Sequence, residues 1–314
     1  MRVTQSLLHR IALNDVTAAR QRLARTQEQA SSGLRVNRPS DDPVATGRIA
    51  SLSSEGAATD QFLRVVRGVR GRVSAVENAL SETNDLLIRL RELAVQGANG
   101  TQDAATRRLI ADEVAQIHGA LVAQSNTNFA GGHLFAGFSS ASAPFSVSGG
   151  FDPNTATAPT VSFVGDTNEI EVEIDESVRT PVTLNGQRVF TGDANGDNVT
   201  DAGSEDVFAV TRELWRALVT NDPAAIRATL DRIDTAGAQI ASERSRIGAV
   251  DASLDRAERA LAKRDVDLEQ RISDLRDADL ARVVSDMVQQ EAALQAGLNA
   301  MGRLVQPTLL DFLR

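Results

Sequence analysis

Between Pro223 and Leu275, a large aliphatic residue returns every seven positions: Ile226, Ile233, Ile240, Ile247, Leu254, Leu261, Leu268 and Leu275. A strict seven-residue period is helical, and in a straight α-helix it drifts by about 20° per repeat. Over the whole stretch that is roughly 140°, so only helices that wind with this one can keep the stripe covered. Asp222 can cap the helix and Pro223 suits its first turn. At about 1.5 Å per residue, such a helix spans roughly 75 Å. The second heptad column is incomplete: Ala236, Val250, Ala257 and Ile272 fit it, while Glu243, Arg244, Arg264 and Asp265 do not. A symmetric two-stranded coil would fill both columns, so the pattern predicts packing against unlike helices of the same chain.

A matching stripe runs through Ala45, Leu52, Thr59, Val66, Val73, Leu80, Leu87 and Ala94. Two heptad columns of equal length predict the legs of one antiparallel helical rod, with Gly97–Gly100 turning the chain into a third helix over 103–124 (Leu109, Val114, Ile117, Leu121). Each leg continues past a breaker into a terminal helix. Residues 3–30 carry a narrow seam of Ala12, Val16, Ala19, Leu23, Thr26 and Ala30. Beyond Arg276-Asp277-Ala278-Asp279, a stride of four and three picks out Leu280, Val284, Met287, Glu291, Leu294, Leu298, Met301 and Val305. These seams predict an assembly interface of terminal coiled-coil helices at Ala12, Val16, Ala19, Leu23, Leu280, Val284, Met287, Leu294, Leu298, Met301 and Val305.

From Ser139 onward Ser, Thr, Gly, Pro and Asp take over. Val161–Phe163 and Ile170–Ile174 alternate as half-buried strands do. Val182–Leu184 and Arg188–Phe190 flank Asn185-Gly186, which predicts a hairpin. A short helix over 204–219 leads back to the long leg. The expected fold is therefore mainly α with a β-rich insertion: terminal helices 1–38 with 277–314, a helical rod 39–138 with 204–276, and a small β module 139–203 at its far end.

Charge follows this division. The net charge is −9, and residues 139–222 hold 4 basic against 14 acidic side chains. No electrostatic footprint for nucleic acid exists. The cluster Arg64, Arg67, Arg70 and Arg72 reads as a solvated helix face. There is no cysteine, no run long enough to cross a membrane, and no apolar stretch after Leu8 for a cleaved export signal. His9, His118 and His133 are scattered, and with Lys263 the only lysine a phosphate-binding P-loop is excluded. The sequence calls for no cofactor and no enzymatic activity. Asp193, Asn195, Asp197 and Asp201 match the early ligand positions of a calcium loop. Asn198 stands where glycine is expected and Ser204 where a bidentate Glu should be, so an acidic turn is the expectation and calcium the weaker alternative.

Ser31-Ser32-Gly33-Leu34-Arg35-Val36-Asn37-Arg38-Pro39-Ser40-Asp41-Asp42-Pro43 resembles the N-terminal signature of the flagellin superfamily. Asp277-Ala278-Asp279-Leu280 and the closing Leu309-Leu310-Asp311-Phe312-Leu313 resemble its C-terminal signature. Arg38–Pro43, and Asn128–Phe138 followed by Pro144-Phe145, are more similar to the hook–filament junction branch than to the filament branch, which is the alternative. The resemblance implies a structural subunit of the flagellum, exported by the type III system. Its terminal helices would assemble, and its partners would be other copies in a ring, the preceding junction subunit, flagellin and a cytoplasmic export chaperone.

Overall fold

The computed structural model describes residues 5–305; the closing segment 309–313 lies outside them. Seven helices and six short strands follow in the order α1 (Gln5–Ser32), α2 (Pro43–Ala98), α3 (Ala104–Ser125), β1 (Asn128–Phe129), β2 (Gly132–His133), β3 (Phe145–Ser148), β4 (Thr160–Phe163), β5 (Glu171–Asp175), β6 (Val178–Pro181), α4 (Gly186–Thr191), α5 (Val207–Val219), α6 (Pro223–Arg276) and α7 (Leu280–Val305). The chain divides into two units, one of residues 1–60 with 263–314, the other of residues 61–262.

Both heptad columns are inside. On α6, Ile226, Ile233, Ile240, Ile247, Leu254, Leu261 and Leu268 are all buried. On α2, Ala45, Thr59, Val66, Val73, Leu80, Leu87 and Ala94 are buried as well. In the unit 61–262 the two helices run antiparallel, because their ion pairs descend one helix as they climb the other. Arg67 reaches Glu258 at 3.0 Å, Glu77 meets Arg244 at 2.6 Å, and Arg91 meets Asp234 at 2.6 Å. The expected solvated face of arginines is thus partly a ladder, with Arg70 bonded to Glu258 at 2.9 Å and close to Asp251 and Asp255. These side chains are largely exposed, so each pair adds at most about 1 kcal/mol and serves mainly to set register.

The helix starts obey capping rules. Asp222 accepts from the amides of Ala224 and Ala225 ahead of α6. Asp42 does so for Ala45 ahead of α2, and Asp103 for Thr106 ahead of α3. Helix α3 packs on α5 with Ile110, Val114, Ile117 and Leu121 inward. Leu109, expected in that core, is 70% exposed. The inward face is set by Ile110 and Ala111, and Leu109 lies one step round the helix from it. Arg107 is buried in the first turn of α3, where its guanidinium ties the end of α2 to the turn before α6. It donates to the carbonyls of Gly97 at 2.9 Å and Asn99 at 3.0 Å, and to the Asn221 side chain.

The strands form three antiparallel pairs, β1–β2, β3–β4 and β5–β6. The expected strands at 161–163 and 170–174 are β4 and the body of β5. The hairpin on Asn185-Gly186 does not form. Asn185 instead caps α4 by accepting from the Gln187 amide at 2.9 Å, and β5 pairs with β6. Gly186 is required for a different reason than a turn: a Cβ there would collide with the Phe135 carbonyl. The few aromatic residues are concentrated at the seat of this β-rich segment. Phe145 lies 5.5 Å from Phe190 and 5.3 Å from Phe208, and Phe151 lies 4.8 Å from Trp215, centroid to centroid.

His118 is part of this cluster, edge-on to Phe151 at 5.2 Å. It is 2% exposed and its Nε2 has no hydrogen-bond partner. Burial, assisted by the charge of Arg212, pushes its pKa down to about 4. A depressed folded-state value means that the unfolded chain takes up the proton first. The stabilising contribution is therefore complete above about pH 6.5 and is lost as pH falls toward 4. We expect about 3 kcal/mol to be lost over that window. In His118→Phe, chemical-denaturation midpoints measured from pH 7 to pH 4 should fall by clearly less than in the parent.

Candidate assembly interface

The unit 1–60 with 263–314 is built around two helices from opposite ends of the sequence, and α1 packs along α7. The small-residue seam is what lets them approach. Ala12, Val16, Ala19 and Leu23 are half-buried, and Thr26 is buried and donates to the Gln290 side-chain oxygen at 2.8 Å. Val16 lies opposite Gly297, where an added Cβ would stand 3.8 Å from its methyl group. Since Thr26 faces Gln290 and Val16 faces Gly297, the pair is antiparallel. The α1 seam is thus engaged by α7 within the chain.

On α7 the expected seam separates into two flanks. Met287, Leu294 and Met301 are half-buried, and with buried Val283 they lie on the α1 side. Leu280, Val284 and Leu298 are 53%, 49% and 42% exposed, and Val288 beside them is exposed too. At 3.6 residues per turn the two flanks stand roughly 90° apart. Beyond the flank that α1 covers, the helix therefore carries a second, mostly apolar flank, interrupted by exposed Glu291. On α1, Leu7 and Ile11 add further exposed apolar surface. The side chain of Val305, the last member of the seam, lies outside the described residues.

A backbone clip joins the segments that follow α1 and precede α7. The amides of Arg35 and Val36 donate to the Arg276 carbonyl, at 2.7 and 3.2 Å, and Ala278 donates to Gly33 at 2.9 Å. Gly33, at φ 72°, takes the left-handed conformation that ends α1. Arg35 completes the clip, donating to the Leu275 carbonyl at 2.5 Å and to Asp42 at 3.1 Å. Asp41 accepts from the amides of Asn37 and Arg38, so the proline-flanked connector has a defined shape. What reads in sequence as two separate breakers is one hydrogen-bonded junction.

The acidic loop at 193–201 is closed by its own amides. Asp193 is buried and accepts from Gly196 at 2.7 Å, Asn198 at 2.6 Å and the Gln187 side chain at 2.5 Å. Asp201 accepts from Ala194, Asn195 from Asp197, and Asp197 from Val199. Asn198 takes the glycine-like φ of 63°. Among the described residues, no group of three or more His, Cys, Asp or Glu side chains is placed to hold a metal ion. No described helix is long and apolar enough to cross a membrane.

The chain is similar to known proteins. The family model of the bacterial flagellin N-terminal helical region matches residues 4–140, and that of the C-terminal helical region matches residues 230–313. Flagellar hook-associated protein 3 of Escherichia coli is 26% identical over 224 residues, covering 70% of this chain and 67% of that protein. Flagellin FlaB2 of Treponema pallidum is 29% identical over 244 residues, covering 77% and 78%. In fold, the chain is similar to the crystal structure of flagellar hook associated protein-3 from Legionella pneumophila. The TM-score is 0.61 at 16% identity, over 72% of this chain and 98% of that one.

The two flanks of α7 make opposite predictions. Ala19→Trp puts a large ring into the α1–α7 seam and should unpair the helices, read as a loss of helical circular dichroism. Val284→Asp sits on the open flank and should leave the monomer's spectrum unchanged while abolishing incorporation into assemblies. For the acidic loop, excess EDTA should leave the melting temperature where it is, with no gain on adding calcium.

Proposed function

From the membership of this chain in the flagellin superfamily, with its N-terminal and C-terminal helical regions both present, we infer that this flagellar structural protein is the subunit that joins hook to filament. The observation that carries the reading is the second, mostly apolar flank of α7. A helix pair that stays together through one flank and offers Leu280, Val284 and Leu298 on the other is suited to polymerise with copies of itself. Covering the remaining surface of those side chains contributes on the order of 2–4 kcal/mol per subunit. Repeated around a closed ring, that adds to the other contacts between copies and offsets part of the cost of association.

In this reading residues 1–38 with 277–314 form the assembly coil, 39–138 with 204–276 the helical rod, and 139–203 the outward surface. Ring neighbours are further copies of the chain. The preceding hook-associated subunit lies on one side and flagellin on the other. The chain reaches the flagellum through the type III export route, and the open flank of α7 is a natural grip for a cytoplasmic chaperone that keeps it from premature association. The Arg38–Pro43 and Asn128–Phe138 segments favour the junction role over that of a filament subunit. The long match to a treponemal flagellin keeps the filament role as the second reading.

Deletion of the gene separates the two. Loss of a junction subunit should leave cells with hooks, no filaments, and flagellin released into the medium. A filament subunit, by contrast, would leave no flagellin to release, and normal filaments would sink the junction assignment.

A further inference from the structure

Arg72 differs from the arginines around it on α2. Arg67 and Arg70 are paired with acids of α6, whereas among the described residues no ion pair involves Arg72. Its Nη2–H donates to the His133 carbonyl at 3.1 Å, and its Nε–H is buried without an acceptor. With no counter-charge beside it, burial pushes the guanidinium below its ordinary value. A buried donor left unmatched is costly, and a partly buried cation more so. The β1–β2 turn could be held by one neutral donor, so a full guanidinium is more than that contact needs.

Arg72 lines a hollow of about 450 Å³, within the size range of small-molecule sites. The wall is otherwise mainly apolar, with Phe129, Ile170, Val172 and Val182 contributing. Part of the space exists because Gly68, one turn before Arg72, has no side chain; a Cβ added there would meet nothing within 4 Å. A lone guanidinium on an aliphatic wall selects its ligand by chemistry. The fork of N–H donors matches a carboxylate, and the wall matches a hydrocarbon body. Inorganic phosphate or sulfate would leave that wall unused.

We propose that the hollow beside Arg72 is a binding site for a small aliphatic carboxylate. The carboxylate neutralises Arg72 and the hydrocarbon body packs on Phe129, Ile170, Val172 and Val182. This holds whichever flagellar role the chain plays. The test is the melting temperature of the intact protein in sodium 3-methylbutanoate, compared with sodium chloride at equal ionic strength and with the neutral 3-methylbutanamide.

At about five times its dissociation constant the carboxylate should raise the melting temperature by about 2–4 °C, while the amide does not. Arg72→Met should remove the response. Gly68→Leu fills the hollow, leaves Arg72 in place and suits a helix better than glycine; it should remove the response in a protein at least as stable as the parent. Equal effects of carboxylate and chloride on the unaltered protein overturn the proposal, as does a Gly68→Leu protein that still responds. Self-association in sedimentation velocity that is lost in Arg72→Met, with no response to the free acid, would assign the hollow to an acidic side chain of a second copy. That too overturns it.

Discussion

Burial of two seven-residue columns, one along α2 and one along α6, is the contact on which the other elements depend. Each column supplies an aliphatic or small side chain at every second turn, and their members from Val66 to Ala94 and from Ile226 to Leu261 are nearly free of solvent. Large-to-small changes in such positions typically cost 2–5 kcal/mol each, far more than any exposed ion pair of the ladder. The arginine–carboxylate pairs select which residues face each other; the columns make the facing worthwhile. Helices α3 and α5 then complete the core of residues 61–262, and the aromatic cluster of Phe135, Phe145, Phe190 and Phe208 seats the β-rich segment on it.

Legibility followed periodicity. The columns of α2 and α6, the cap at Asp222 and the strands at β4 and β5 all rest on local patterns, and a sequence states such patterns directly. Asn185-Gly186 misled because its two residues act through different contacts. Asn185 caps a short helix, and Gly186 makes room for the Phe135 carbonyl about fifty residues earlier in the chain. Leu109 misled for the converse reason: hydrophobicity was read as burial, while the inward face was fixed by Ile110 and Val114 one step away.

The terminal helices show the same limit at a finer scale. The stride of four and three on α7 marks an apolar face correctly, but a stride does not say how many partners the face serves. Val283, Gln290 and Gly297, which complete the α1 side, were not in the predicted seam, since a glutamine and a glycine carry no hydrophobic signal. Thr26 opposite Gln290 was the available clue: a hydroxyl at a seam position calls for a polar partner. Arg72 was visible only as one arginine among four. What sets it apart is where it points: its guanidinium reaches the His133 carbonyl and not the acids of α6, a direction that only the folded structure reveals.

The clip between residues 33–36 and 276–278 has a consequence for the order in which the molecule can be completed. Its bonds are between main-chain atoms 240 or more residues apart, and α1 likewise finds its partner only in the last helix of the described chain. Residues 61–262 form a continuous stretch, so their core can close while later residues are still being synthesised. Helix α1 has no such option, because the helix it packs on lies beyond residue 262 and its nearer bonds reach only Arg35 and Arg38 of the connector that follows it. Non-local contacts of this kind form late. For most of the time the chain is being made, α1 is a helix without a partner, and its small-residue seam, weakly hydrophobic and poor at sticking to the wrong surface, is suited to that wait.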